Sequence, residues 1–414
     1  MSELKILLAT FWKHPVIGGS AMYIDQLKQG LERKGHKVDI LAKHPSLNRY
    51  YLVNTNEFVE INNIQKVVKR CMNQLFSKQD FSYQNNEMNY YCFELAASYL
   101  NLEKYDLIHT QDIFSTRLLS RVKPKGTPLV SSIHGCIATE YLIQKRNSSV
   151  KNQVIKNRKD FEWRYVYWQE YIGAASSDIT IVATKWLKDL LINDFGVEEQ
   201  QLMIIPYALD IDQFTQKMGE TPPVFAPPDK TVIVCPARLA FIKGHNTLLD
   251  ALAKLKKQRT DWVCWLVGDG NLRTELVAKA RKLNLLQNVR FLGAQKNIPA
   301  ILKQADICVL SSIQESFPYA VMEAHIAGVP VVATDAGGLP EAVAPGQTGF
   351  ISPKGNSEIL YQNIRNLLEN TNLRNTMASN AQIHGREKWD LETMISKTLA
   401  IYEKVLKRKG GENL

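Results

Sequence analysis

Glu315-Ser316-Phe317-Pro318-Tyr319-Ala320-Val321-Met322-Glu323, closed by Ala324-His325-Ile326-Ala327-Gly328-Val329-Pro330, decides how this chain is read. Its two carboxylates are eight positions apart, one in a loop and one inside a short apolar helix. Pro318 suits the first helical position, where a missing N–H costs nothing. Gly328 suits the C-terminal cap, and Pro330 cannot continue the helix. The chain then turns to strand in Val329 to Ala333. Glu323 is the odd residue. Its neighbours at three and four positions are Ala320 and Ala327, so it lies on a face of tiny side chains. A carboxylate there is costly without a hydrogen-bonding partner, and the alanines leave room for a ligand to be that partner.

The same helix-then-strand alternation extends outward in both directions. Short apolar runs occur at Ile6–Ala9, Val38–Ala42, Leu107–His109, Leu129–Ile133, Ile179–Val182 and Met203–Ile205. More follow at Val232–Cys235, Trp262–Val267, Val289–Leu292 and Ile307–Leu310. Longer amphipathic segments separate them. Both halves therefore read as parallel α/β sheets covered by helices on two faces. The segment from Pro206 to Asp229 is proline-rich and aperiodic, and it divides the halves. This gives a first domain over 1–208, a linker over 209–229 and a second domain over 230–390. A last helix, about 391–414, is expected to pack back on the first domain.

Composition narrows the class. The chain has 414 residues, 45% hydrophobic and 22% charged, as two soluble globular domains would. No transmembrane span stands out, and Met1-Ser2-Glu3-Leu4-Lys5 runs straight into a strand without the look of a signal peptide. The six cysteines lack CxxC spacing and read as reduced thiols in a cytoplasmic protein. The net charge of +10 suits nucleic acid, an anionic membrane surface or anionic small molecules. No nucleic-acid-binding signature is present. The densest basic patch is Lys145, Arg146, Lys151, Lys156, Arg158, Lys159 and Arg164; it is either a solvated helix face or a peripheral membrane contact. The aromatic-rich stretch from Tyr50 to Tyr99 is either helix packing or a surface for a sugar-like acceptor.

Several loops could carry chemistry. Gly18-Gly19 follows the first strand and precedes a helix; it is a plain turn or an anion-binding backbone. It lacks the G-x-G-x-x-G spacing of a dinucleotide site. Arg238 and Lys243 lie in the strand-to-helix loop Ala237 to Gly244, where open α/β sheets bind ligands. They are an exposed, solvated pair or a seat for a diphosphate. Gly268-Asp269-Gly270 permits a tight turn, and amides after Gly337-Gly338 could serve a carboxylate or phosphate. His134-Gly135 ends a strand; the imidazole is structural or faces the crevice between the domains. Asp210-Ile211-Asp212 has the D-x-D look of a metal site but lies in the linker.

Gly18-Gly19, His134, Arg238 with Lys243, Gly268-Asp269-Gly270, Glu315 to Glu323, and Gly337-Gly338 with Glu341 arrive in a fixed order. That order resembles the retaining glycosyltransferases of family 4, also called glycosyl transferases group 1, which have the GT-B fold. The resemblance implies two Rossmann-like doubly wound domains facing a central cleft. It implies that Glu323 holds the ribose hydroxyls and that Glu315 contacts the donor sugar, with Phe317, Pro318 and Tyr319 nearby. Arg238 and Lys243 would neutralise the diphosphate, Gly18-Gly19 would close over phosphates or acceptor, and His134 would touch the donor sugar. Gly268 would also line the donor site, and backbone from Gly293 to Lys296 would read the base. The donor would be a nucleotide-sugar, with UDP-sugars first, the acceptor a hydroxyl, and no metal or other cofactor needed. One departure is Pro206-Tyr207-Ala208-Leu209-Asp210, where the family often has Pro-Asn-Gly-Val-Asp. An epimerase of the same fold and a non-catalytic nucleotide-sugar-binding partner subunit are the alternatives. The sequence leaves the acceptor and the oligomeric state open.

Overall fold

Two sheets, each with its own layers of helices, organise the computed structural model, which describes residues 2–16, 18–75, 81–147 and 161–409. The first sheet contains β1 (Lys5–Lys13), β2 (Lys37–Lys43), β3 (Arg49–Leu52), β4 (Phe58–Glu60), β5 (Leu107–Thr110), β6 (Leu129–Ile133), β7 (Ile179–Val182) and β8 (Leu202–Ile204). Their order is β4-β3-β2-β1-β5-β6-β7-β8. The second sheet contains β9 (Thr231–Pro236), β10 (Trp262–Val267), β11 (Val289–Gly293), β12 (Ile307–Leu310), β13 (Val331–Thr334) and β14 (Gly349–Ser352). Their order is β11-β10-β9-β12-β13-β14, with every pair parallel. Central strands such as β10 and β12 are buried along their whole length. That is why they read as continuous apolar runs.

Strand order reverses between β1 and β5, and again between β9 and β12. Adjacent chains leave the sheet on opposite sides at these points, so a crevice opens beyond the strand ends. The loops that carry Arg238, Lys243 and Glu315 follow β9 and β12, at the second of these points.

Three features differ from the expected pattern. The first sheet is not wholly parallel, because β3 pairs antiparallel with both β2 and β4. The links on either side are too short for a parallel crossover, which needs a dozen residues or more. β14 escaped the reading of apolar runs; its first residue, Gly349, lies so close to the Val331 carbonyl that a Cβ would overlap it. The linker is not all aperiodic. It holds helix α8 (Ile211–Met218), capped by Asp210, which accepts from the Gln213 N–H at 2.9 Å and pairs with Arg33 at 2.6 Å. The D-x-D is thus a helix start.

The helices that matter for the site are α1 (Gly19–Arg33), α5 (Ile137–Asn147), α6 (Phe161–Ala175), α7 (Lys185–Asn193), α12 (Tyr319–Ile326) and the final α16 (Leu391–Lys409). α16 packs against α1. Its Tyr402 hydroxyl meets His109 Nδ1 at 2.6 Å in the buried interior of the first domain. The chain crosses between sheets twice, side by side, and the Leu209 N–H donates to the Trp389 carbonyl at 3.0 Å where the crossings meet. Tyr50, Tyr90 and Phe93 are core residues, so they do not offer a face to an acceptor. Cys235, Cys264 and Cys308 are buried free thiols. Most of the basic patch at 145–164 lies outside the residues whose side chains are described.

Candidate active site

Glycine shapes the loop after β9. The short turn Phe241–Lys243 ends at Gly244, whose φ of 64° suits glycine. A Cβ there would also overlap the Ser311 carbonyl. This close approach brings Lys243 against the loop after β12, where its ammonium pairs with the Glu315 carboxylate. Their side chains are only 19% and 15% exposed. Arg238 is exposed, and no hydrogen bond or ion pair holds its guanidinium among the described residues.

Gly337 and Gly338 serve this loop and not a ligand directly. Gly337 has φ 57°, and side chains at either glycine would overlap the carbonyls of Glu315 and Ser316. The Gly338 N–H donates to the Glu315 carbonyl at 2.9 Å. The amides that follow are taken as well, since the Leu339 and Glu341 N–H groups donate to the Ala336 and Gly338 carbonyls at 3.1 Å, so protein already satisfies the expected cradle. Gly268 is a similar case: a Cβ would overlap the Ala237 carbonyl, and its N–H donates to the Gly293 carbonyl at 2.8 Å. Gly268 thus positions the Arg238 loop, while Gly293 ends β11 as its hydrogen-bonded neighbour.

α12 starts one residue later than expected, with Pro318 as the extended residue before it. It ends where Val329 N–H reaches the Ala324 carbonyl and Gly328 N–H reaches that of His325, with Gly328 at φ 74°. Glu323 sits between, 7% exposed. No hydrogen bond or ion pair to its carboxylate exists among the described residues. Burial pushes its pKa up to about 7, with Lys217 pulling weakly the other way.

Phe317 and Tyr319 present packed rings rather than free ones. Tyr207 stacks on Tyr319 with centroids 5.2 Å apart, and it meets Phe317 at 5.1 Å and Tyr23 at 5.0 Å. These rings are buried and form a wall joining the domains. Gly19 lies against that wall, since a Cβ on it would be 3.3 Å from the Tyr319 ring. His134 belongs to the wall too. Its Nδ1 is hydrogen-bonded to the Tyr207 hydroxyl, and its buried Nε2 has no partner among the described residues. Burial lowers its pKa to about 3, so the ring is neutral near pH 7.

Other contacts join the domains across the crevice. Gln314 Nε2 donates to Thr139 Oγ1 at 2.6 Å. The Glu341 carboxylate accepts from the N–H groups of Lys185 and Trp186 at 2.9 and 2.7 Å, so it caps α7 from the other domain. The structure thus gathers Arg238, Lys243 and Glu315 at one switch point, and Gly19, His134, Phe317 and Tyr319 along one wall. Sequence reasoning missed Tyr23 and Glu140 as site or interface residues. Glu341 stood in the Gly337-Gly338 motif without its role as a cap being foreseen, and Tyr207 showed only as the departure in the linker.

Two family models match this chain in succession. The model described as Glycosyltransferase Family 4 matches residues 17–213, and Glycosyl transferases group 1 matches residues 220–384. The chain belongs to the group 1 glycosyltransferases. An uncharacterized glycosyltransferase of Methanocaldococcus jannaschii is 25% identical to this transferase over 98% of the chain and 100% of its own length. The sucrose-phosphate synthase of Thermosynechococcus elongatus shares the fold with a TM-score of 0.76 at 17% identity, over 98% of this chain and all of its own. Anabaena HepE, solved in complex with UDP and glucose, shares it with a TM-score of 0.68 at 20% identity, over 97% and 100% of the two chains. The fold is therefore GT-B. No helix of the transferase is long and apolar enough to cross a membrane among the described residues.

Proposed function

We propose that this glycosyltransferase moves a sugar from a nucleotide-sugar, a UDP-sugar in the first instance, to an acceptor hydroxyl with retention at the anomeric carbon. The observation that carries the reading is Glu323. It is a buried carboxylate with no protein partner among the described residues, on the helix that follows the loop bearing Glu315. Ribose hydroxyls are donors of the right kind to satisfy it. The neighbouring switch point offers Arg238 and Lys243 to a diphosphate. HepE supports the donor class, because it was solved with UDP and glucose in the same fold.

In this reading the second domain, about 230–390, holds the donor and the first, 1–208, presents the acceptor. The diphosphate displaces Glu315 from Lys243, and Glu315 turns to the sugar. Arg238 and Lys243 stabilise the charge that grows on the leaving oxygens as the anomeric carbon becomes oxocarbenium-like. The acceptor hydroxyl attacks from the face the leaving group departs from, and a leaving-group oxygen takes its proton. Arg238 and Lys243 do the work a divalent ion does elsewhere, so the reaction needs none. Neutral His134 hydrogen-bonds the sugar through Nε2.

A panel of UDP-, GDP- and ADP-sugars tests this by thermal shift and by slow donor hydrolysis. One or more should raise the melting temperature, release nucleoside diphosphate in the presence of EDTA, and transfer with retention by proton NMR. No stabilisation by any of them refutes the donor reading. Formation of an epimer from the donor alone favours the epimerase alternative. A location at the cytoplasmic face of a membrane is part of the same proposal. Phe161, Trp168 and Ile172 of α6 are exposed, as a membrane-interface helix would have them. Sedimentation with anionic vesicles checks it.

A further inference from the structure

Glu140 is a site residue that no motif announces. It lies on α5, in the first turn after the His134-Gly135 bend. The backbone around it is held from both sides. Glu170 of α6 accepts from the Ile137 and Ala138 N–H groups at 2.8 and 3.2 Å, and Thr139 is bonded to Gln314 of the other domain. α5 packs on the turn that carries Lys243. The Glu140 carboxylate therefore faces the crevice. Its Oε1 would be 3.7 Å from a Cβ built on Gly135, and Ser316 Oγ would be 3.3 Å from the same point. Glycine at 135 keeps that space open.

The charges around Glu140 are those of the reaction site. Burial raises its pKa, Lys243 and then Arg238 lower it, and Glu315 raises it again. Yet no hydrogen bond or ion pair holds this carboxylate among the described residues. A structural counter-charge would pair with a cation, but Lys243 pairs with Glu315 instead. A half-buried carboxylate left with open lone pairs costs free energy unless a ligand donates to it. In the donor reading above, the group that would lie between Glu140 on one side and Lys243 with Glu315 on the other is the transferred sugar.

We propose that Glu140 is a specificity-determining residue whose carboxylate accepts a hydrogen bond from a hydroxyl of the transferred sugar. The inference rests on the nucleotide-sugar reading above and adds a contact from the first domain. Such a site rejects a sugar that lacks the hydroxyl, because the carboxylate is then buried with nothing to accept from.

The test compares the full chain with Glu140→Ala and Glu140→Gln by titration calorimetry. The ligands are UDP-glucose, or whichever nucleotide-sugar the panel selects, and its bare nucleoside diphosphate. For Glu140→Ala, affinity for the nucleotide-sugar should fall about tenfold relative to the diphosphate. The diphosphate itself should bind equally well or more tightly, since a negative charge has left the neighbourhood of Arg238 and Lys243. Glu140→Gln should lie between, because its amide oxygen still accepts. Melting temperature without ligand should hold or rise. Equal changes for both ligands would overturn the proposal and make Glu140 a counter-charge to the cations. A wild-type chain that binds no nucleotide-sugar would instead overturn the function reading, and this contact with it.

Discussion

Lys243 and Glu315 form an ion pair across the point where the order of the second sheet reverses. Each side chain is less than one-fifth exposed, so the pair lies between the surface and buried regimes. Removing one partner strands the other, whereas removing both need not cost much. Lys243→Met and Glu315→Gln should each lower stability by about 1–3 kcal/mol. The double variant should be less destabilised than their sum by about 1–2 kcal/mol, measured by urea unfolding. Transfer activity should be lost in all three. A fully additive cycle would mean that the pair does not couple in solution.

Glu323 predicts a pH dependence with a definite sign. Burial holds its carboxyl at about 7 in the folded chain, against an ordinary glutamate value of 4.5. The folded state therefore binds this proton more tightly than the unfolded state. The burial cost is absent below pH 4.5, grows between pH 4.5 and 7 and is constant above that. Hydroxyl donors favour the ionised form, so ligand binding should release the proton. Between pH 6 and pH 8 donor affinity should rise about tenfold. In Glu323→Gln the affinity should be lower at pH 8 and nearly flat with pH. His134 does not confuse the profile, because burial holds it near 3. A wild-type affinity that is flat from pH 6 to 8 would remove Glu323 from the ligand contacts.

Arg238 should separate catalysis from folding. Its side chain is exposed and makes no ion pair or hydrogen bond among the described residues. Arg238→Ala should change stability by less than about 0.5 kcal/mol. It should slow transfer by about 10²–10³-fold, because the growing charge on the leaving group loses a stabiliser. Donor affinity should fall much less than the rate. Single-turnover rates and calorimetry on one preparation give both numbers.

The parts of this fold that could be read from sequence are those in which one residue type has one explanation. Strands buried on both faces had to be apolar throughout, and β9, β10, β12 and β13 were plain. Glu323 was conspicuous because a carboxylate between Ala320 and Ala327 has no local excuse. Glycines were harder. Gly337 and Gly268 look the same in sequence whether they admit a phosphate or a neighbouring carbonyl, and here the neighbour is a carbonyl. Glu140, and the role of Tyr207, were out of reach for another reason. Their significance lies in partners from distant segments, and only the folded chain brings Tyr207 against Tyr23, His134, Phe317 and Tyr319.

Tyr207 connects the linker to His134 through its hydroxyl. Tyr207→Phe keeps the stacking on Tyr319 and removes only the hydroxyl. His134 Nε2 already lacks a partner, so Nδ1 would then lack one too. The newly unsatisfied Nδ1 in this site should cost about 1–3 kcal/mol. A ring freed at Nδ1 also loses its fixed orientation, so transfer should slow with little change in nucleoside diphosphate affinity. Tyr207→Ala should cost more, about 3–5 kcal/mol, because it opens a cavity among four rings. If His134 acts through this bond, adding Tyr207→Phe to His134→Ala should slow transfer no further. Additive losses in that pair would mean that the hydroxyl serves the fold alone.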